Sequence, residues 1–486
     1  MLKNGIYNTA AGLIRLGIGI LTVPVLIRSL GVEEYGLWTL ASTVINIVTL
    51  AEAGLSTATT VFVAQDLAKD DVDGLSQTLT VTGGAMLGLA TLAALVLWVG
   101  AEPIVSSFAT LDRFQHIRTV EALQIGGVAV WSSLLKQVLV GVEQAYQRYD
   151  LLNLLNTVQS LLNGLGMLAV IWAGGRIVDL MEWQAVTGIV ILLAHLWLVF
   201  SLVGRNGIRF YWNRARGVTV FRYSLETWFT SIGGVLFTQV DKLIVGSMLG
   251  SKELGIYGAI TNVTTQINLL SSLPVQPLVP IVSKYLATEG LGGDALKQRV
   301  KSALQLNGVV SLGMGMILFS FAPLLLSFLV GKGFTAESVT LFRTATVIYS
   351  LYSLNAVGYY LLFGVNQVAI CMKINLVSGF FSLLLIYLGA INFSTLGAIV
   401  GNIGYLGSLY LITTGLRKVN ISMASWLQWL YVPLLWFAIA LIMSIFIESN
   451  FILTTLFCTF QCILLCVWYF KYSGVTMPRF TAKNRL

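Results

Sequence analysis

Seven ionisable side chains stand inside otherwise apolar runs, and their types set the chemistry open to this chain. Arg15 interrupts the run 6–27, Glu52 lies in 37–60, Lys136 in 121–142 and His195 in 183–203, while Glu226, Asp241 and Lys242 share 223–249. A charged group at mid-membrane costs about 2.5–3.5 kcal/mol on insertion scales, so each is expected to face a cavity or a partner. Arg15 is roughly nine residues into its run, ~14 Å deep at 1.5 Å per residue. Its planar donor fork suits a pair of diphosphate oxygens; an internal ion pair or carbonyl clamp that fixes packing is the alternative. Asp241 and Lys242 point ~100° apart on a helix and do not pair with each other. One is expected to face a cavity and the other a neighbouring helix. Lys242 and Lys136 could bind an anionic substrate, or snorkel to the nearer interface. Glu52 and Glu226 are candidates for proton or cation coupling, because burial disfavours a bare carboxylate; a helix start or a contact between lobes explains them equally. His195 is either a proton relay or a packed, hydrogen-bonded side chain. No metal-ligand cluster, nucleophile motif or Gly-rich phosphate loop accompanies these residues. No catalytic residue, metal or cofactor is therefore expected, beyond H+ or Na+ as a coupling ion.

Elements able to hold such groups must cross a membrane. The chain is 56% hydrophobic and 10% charged, against about 25% charged in a soluble domain. Apolar runs near 20 residues recur throughout, each long enough to cross ~30 Å of hydrocarbon as a helix. They fall at 6–27, 37–60, 80–100, 121–142, 151–173, 183–203, 223–249, 255–282, 302–330, 341–364, 370–391, 395–416, 427–447 and 451–470, about fourteen spans. Stretches such as "MLGLATLAALVLWVG" do not alternate apolar and polar residues, which excludes a β-barrel. The 47 glycines suit close helix packing in lipid. The stretch 6–27 is longer than a signal h-region and contains Arg15, so it reads as a retained first helix. Pro274, Pro277 and Pro280 remove backbone donors from the eighth span and are expected to kink it. Cys458, Cys462 and Cys466 recur every fourth residue as small packing residues, with no disulfide framework implied.

Of 29 Lys and Arg, 19 fall in connections on the N-terminal side of the membrane, seven on the opposite side and three inside spans. The bias places both termini in the cytoplasm and accounts for most of the net charge of +8. A nucleic-acid partner would need an aqueous basic surface. The loop "RNGIRFYWNRARG" lies next to lipid instead, so no nucleic-acid partner is expected.

The connection after the first span is written twice. "LGVEEYGLW" runs from Leu30 to Trp38 and "LGSKELGIY" from Leu249 to Tyr257, matching Gly31 with Gly250, Glu34 with Glu253, Gly36 with Gly255 and Trp38 with Tyr257, always 219 residues apart. Six spans separate the copies, so the two halves have the same orientation: a parallel repeat about an axis along the membrane normal, the plan of an alternating-access transporter.

The stretch from "NTAAGLIRLGIGILTVP" through "LGVEEYGLW" to "EAGLS" resembles the opening of bacterial polysaccharide transporters, the O-antigen flippase (Wzx-like) family. These belong to the multidrug/oligosaccharidyl-lipid/polysaccharide exporter superfamily. "TQVDKLIVGSMLGSKELGIYGAI" resembles the corresponding part of its second half. The resemblance implies an all-α polytopic fold with two six-helix lobes in a V, here 1–216 and 217–420, followed by an extra helix pair and cytoplasmic tail, 421–486. It implies a non-enzymatic flippase in the bacterial inner membrane, moving an undecaprenyl-diphosphate-linked oligosaccharide from the cytoplasmic to the outer leaflet for surface polysaccharide synthesis. Membrane lipids, a polysaccharide polymerase and a chain-length regulator are the implied partners of a monomer. Arg15, Lys136 and Lys242 are then the expected substrate ligands, and Glu52, His195, Glu226 and Asp241 the coupling or cavity groups. Two alternatives stay open: a multidrug antiporter of the same fold, whose cavity should be lined by carboxylates, and a membrane enzyme such as a polysaccharide polymerase.

Overall fold

A computed structural model describes residues 22–52, 54–108, 111–204, 209, 211–288, 293–330, 336–447 and 451–473. Among them the regular structure is helical throughout. The chain packs as two compact units, 1–259 and 260–486.

The first unit holds α1 (Val32–Val48), α2 (Leu55–Ala68), α3 (Val72–Ser106), α4 (Arg113–Ala145), α5 (Tyr149–Trp172), α6 (Ile177–Val203), α7 (Arg214–Leu249) and the start of α8 (Ser251–Thr264). The helix starts have local causes. Asp71 accepts from the Gly74 amide at 2.8 Å, Asp112 and Gln115 form a capping box on α4, and Asn213 caps α7; each satisfies amides that a first turn leaves free. A 3₁₀ turn, Thr49–Glu52, divides α1 from α2. The division by packing falls within α8, so that both copies of the repeated turn belong to the first unit.

The second unit continues through α9 (Gln266–Ser272), α10 (Leu278–Thr288), α11 (Asp294–Ser320), α12 (Ala322–Val330), α13 (Ala336–Tyr352), α14 (Ala356–Gly364), α15 (Val368–Gly401), α16 (Tyr410–Lys418), α17 (Ser425–Ile447) and α18 (Phe451–Tyr472). The prolines act as their chemistry requires: the expected eighth span is broken by a 3₁₀ turn, Leu273–Val275, between α9 and α10. The expected spans 370–391 and 395–416 form a closed hairpin. Phe393 and Ser394 leave helical geometry (Ser394 at φ 53°, ψ −141°), and α15 continues through the 3₁₀ segment Asn402–Leu409 into α16.

Ten stretches among the described residues are long and apolar enough to cross a membrane. Their side chains are arranged for lipid rather than water. Trp98, Val99, Trp197, Phe200, Phe380 and Phe446 face outward, all more than half exposed, whereas Thr39, Thr43, Thr59, Thr78 and Thr82 are buried. The buried hydroxyls return to their own helix: Thr39, Thr43, Thr59 and Thr82 each donate to the carbonyl four residues earlier, at 2.7–2.9 Å. A polar group among apolar neighbours has to be satisfied internally.

The two copies of the repeated turn have the same backbone and touch each other. Gly31 (φ 84°, ψ 162°) and Gly250 (φ 93°, ψ 178°) occupy the same region, open to glycine and strained for other residues. Each amide closes the preceding helix, Gly31 on Ile27 at 2.9 Å and Gly250 on Gly246 at 3.2 Å. A Cβ added at Gly36 would stand 1.8 Å from the Ser251 carbonyl oxygen, and one at Gly255 would stand 2.2 Å from that of Val32. Residues 32 and 251 are themselves 219 apart, so the contact has a local two-fold axis: α1 and α8 cross backbone to backbone at equivalent glycines.

Candidate functional site

A polar seam of the first unit runs between α4, α5 and α6. The His195 Nδ1 of α6 lies 2.7 Å from Glu143 Oε1 of α4, and neither side chain has any solvent exposure. Glu143 Oε2 and His195 Nε2 have no hydrogen-bond partner among the described residues. Lys136 precedes Glu143 by two turns on the same face of α4, ~10 Å away at 1.5 Å per residue. Its Nζ donates to Gln159 Oε1 of α5 at 2.7 Å. Next to Glu143, Gln144 accepts from Thr60 of α2 at 3.2 Å, and Ser56 donates to the Gln137 carbonyl at 2.9 Å. Glycines let these helices approach: a Cβ at Gly141 would meet the Ser56 carbonyl oxygen at 2.6 Å, and one at Gly188 would meet Ser132 Oγ at 2.4 Å.

This arrangement has two chemical capacities. Lys136 is hydrogen-bonded to an amide rather than paired with a carboxylate, which leaves two of the three donors of an ammonium for an anion. The Glu143–His195 pair joins a carboxyl group to an imidazole through one hydrogen bond, wholly inside the bundle. Its Oε2 and Nε2, unpartnered among the described residues, are each left to hydrogen-bond a further polar group.

Of the residues singled out from sequence, the structure brings Lys136 and His195 into this seam. Arg15 lies outside the described residues, as does the side chain of Glu226 on α7. Glu52 is half-buried at the end of the 3₁₀ turn between α1 and α2. Asp241, 3% exposed, accepts from the Tyr257 hydroxyl at 2.9 Å, and its Oδ1 has no partner among the described residues. It is the member of its pair that contacts a neighbouring helix, while Lys242 is half-buried beside it on α7. Lys136 bonds within the bundle instead of snorkelling.

Glu143 and Gln159 were not found from sequence. Hydropathy ends the fourth span at 142, because a carboxylate raises the cost of insertion, but α4 continues to Ala145. The available signal was the spacing of Lys136 and Glu143, seven residues and therefore one helix face.

Two further charged clusters are structural. Arg216 at the start of α7 donates to both oxygens of buried Asp66 and, through Nε, to Thr78 at 3.0 Å. Its guanidinium also lies over the Phe62 ring at 5.0 Å. Glu34, in the first repeated turn, accepts from Arg176 at 2.6 Å, from the Ile177 amide at 3.3 Å and from Arg118 at 3.4 Å. The acidic residue of that turn therefore ties α1 to the starts of α4 and α6.

With this geometry the fold can be compared with known proteins. The structure is similar to the lipid II flippase MurJ in an inward closed conformation, with a TM-score of 0.73 over 96% of this chain and 99% of that one, at 13% identity. It is also similar to an inward-facing multidrug resistance MATE family transporter of the MOP superfamily, with a TM-score of 0.67 over 86% and 98% of the two chains at 12% identity. A third similar structure is that of a point mutant of the Vibrio cholerae MATE transporter VcmN, with a TM-score of 0.59 over 86% and 98% at 16% identity. At these identities the likeness establishes the fold, that of the MATE and MurJ proteins. No curated protein is a significant match to the sequence. Residues 1–286 match the family described as "Polysaccharide biosynthesis protein". The chain is a multi-pass α-helical membrane protein and belongs to the polysaccharide biosynthesis protein family.

Proposed function

We propose that this protein is a flippase that moves an undecaprenyl-diphosphate-linked oligosaccharide from the cytoplasmic to the outer leaflet of the bacterial inner membrane, by alternating access and without covalent chemistry. The observation that carries this reading is Lys136: a cation inside the bundle of a polysaccharide-biosynthesis protein, held by an amide that leaves its charge free for a phosphorylated head group. Arg15, on the first span, is the second proposed ligand of the diphosphate, with Lys242 as a third. His195 with Glu143 is the proposed proton-coupling pair. Glu52, Glu226 and Asp241 complete the set of polar groups proposed for the path. Both termini are proposed to be cytoplasmic, from the distribution of Lys and Arg. A polymerase and chain-length regulator would act on the exported product of a monomeric flippase.

The test is deletion of the gene followed by analysis of lipid-linked intermediates. Accumulation of the completed intermediate on the cytoplasmic leaflet, with loss of surface polymer, is the expected result. Absence of the intermediate would identify an enzyme acting before export and overturn the proposal.

A further inference from the structure

We propose that the hairpin formed by α15 and α16 carries a binding site for an anionic glycerophospholipid of the cytoplasmic leaflet; the leaflet, though not the site, rests on the orientation proposed above. The two arms of the hairpin are pressed together by glycines. A Cβ at Gly389 would meet the Gly397 backbone, one at Gly401 that of Ile386, and one at Gly404 that of Ser382, each within 2.1–2.5 Å. Helices this close leave no ridge between them, and a groove of about 600 Å³ runs along their outer face, lined by Lys373, Val377, Phe381, Leu385, Ile403 and Tyr410 among others.

From Lys373 to Leu385 the groove extends 12 residues, ~18 Å at 1.5 Å per residue. That is close to the hydrocarbon depth of one leaflet, about half of ~30 Å. Its apolar wall suits one acyl chain, and its single cation lies at the end nearest the helix start.

Charge selects the head group. Lys373, Arg417 and Lys418 are all exposed. Arg417 follows Tyr410 by seven residues, so it extends the same face two turns toward the chain connection. No Asp or Glu occurs anywhere from residue 338 to 447, and among the described residues none of the three cations forms an ion pair. The helix pair therefore presents an apolar slot ending in unneutralised positive charge, complementary to an acyl chain ending in a phosphate. A zwitterionic lipid would bring its own cation against Lys373. The bands of Lys and Arg found next to membrane spans attract anionic lipids in the same way.

The test is native mass spectrometry of the full-length protein, delipidated in detergent and titrated with phosphatidylglycerol or phosphatidylcholine of identical acyl chains. Expected is saturable binding of phosphatidylglycerol in preference to phosphatidylcholine. K373E and R417E should each weaken phosphatidylglycerol binding at least about fivefold. Val377, 58% exposed, can be changed to Trp to fill the groove, and V377W should reduce binding with the charges intact. Equal binding of the two lipids, or unchanged phosphatidylglycerol binding in K373E/R417E, would overturn the proposal. Inorganic phosphate competing as well as the lipid would also overturn it, since the slot would then contribute nothing.

Discussion

Replacing Gly36 by Ala should force apart the two copies of the repeated turn. The new methyl would stand 1.8 Å from the Ser251 carbonyl oxygen and 2.7 Å from its carbon. Both are backbone atoms of α8 and cannot rotate away. Restoring an ordinary contact of 3.4 Å requires a shift of 3.4 − 1.8 = 1.6 Å between α1 and α8. Overpacking of this kind costs about 1–3 kcal/mol, occasionally more, against which Ala gains up to ~1 kcal/mol of helix propensity over Gly. The expected net loss is about 1–2 kcal/mol. Gly88 on α3 provides the control: it is exposed on the helix and an added Cβ meets nothing within 4 Å. G88A should therefore show only the propensity gain. Thermal unfolding of the purified variants side by side in one detergent reads the difference, at ~2–4 °C per kcal/mol for a unit of 150–250 residues. G36A should melt below wild type and G88A at or above it. The G36A/G255A double variant should lose less than the sum of its singles, because both methyls act on one interface that the first has already opened. If G36A is as stable as G88A, or if the double is strictly additive, the two turns do not meet as described.

The buried pair and the cations give three further expectations. H195A should destabilise the protein by about 3–5 kcal/mol, since it leaves Glu143 buried without its partner, while E143L/H195L should recover much of that loss; a single variant that unfolds like wild type would remove the pair from the core. K136M should insert normally but export little surface polysaccharide, and K136R should retain part of the activity because it keeps the charge; normal polymer in K136M, at normal protein level, would exclude Lys136 from the path. R15A is expected to abolish export and R15K to restore it only partly, as one ammonium cannot reproduce a two-pronged donor; full activity in R15K would mean that charge alone matters.

Much of the architecture could be read before any coordinates. Hydropathy placed most of the described helices, with some ends displaced by up to about ten residues; ten stretches among the described residues, not fourteen, are long and apolar enough to cross a membrane, and proline spacing marked the break in the eighth span. One displaced end shows a cause. A span drawn by transfer energy stops at the first charge, yet α4 runs from Arg113 to Ala145, through residues that are costly only if they stay unpaired. His195 could be seen as exceptional, but its partner could not: Glu143 is 52 residues away in sequence, and nothing in either helix specifies which face meets which. The break between the expected spans 370–391 and 395–416 was placed, and the chain leaves helical geometry there at Phe393 and Ser394; what stayed hidden were the glycine contacts that close the hairpin on either side of it.

Membrane class, helical state and the 219-residue repeat were fixed by local or additive properties: the transfer cost of each residue, the length of each run and the order of a short turn. These need no knowledge of neighbours. Which helices touch was decided only in three dimensions, since lipid and protein interior accept the same apolar residues and hydropathy cannot distinguish them. The equivalent glycines Gly36 and Gly255 show the division. Their recurrence was written in the chain, but their contact backbone to backbone exists only where α1 and α8 cross.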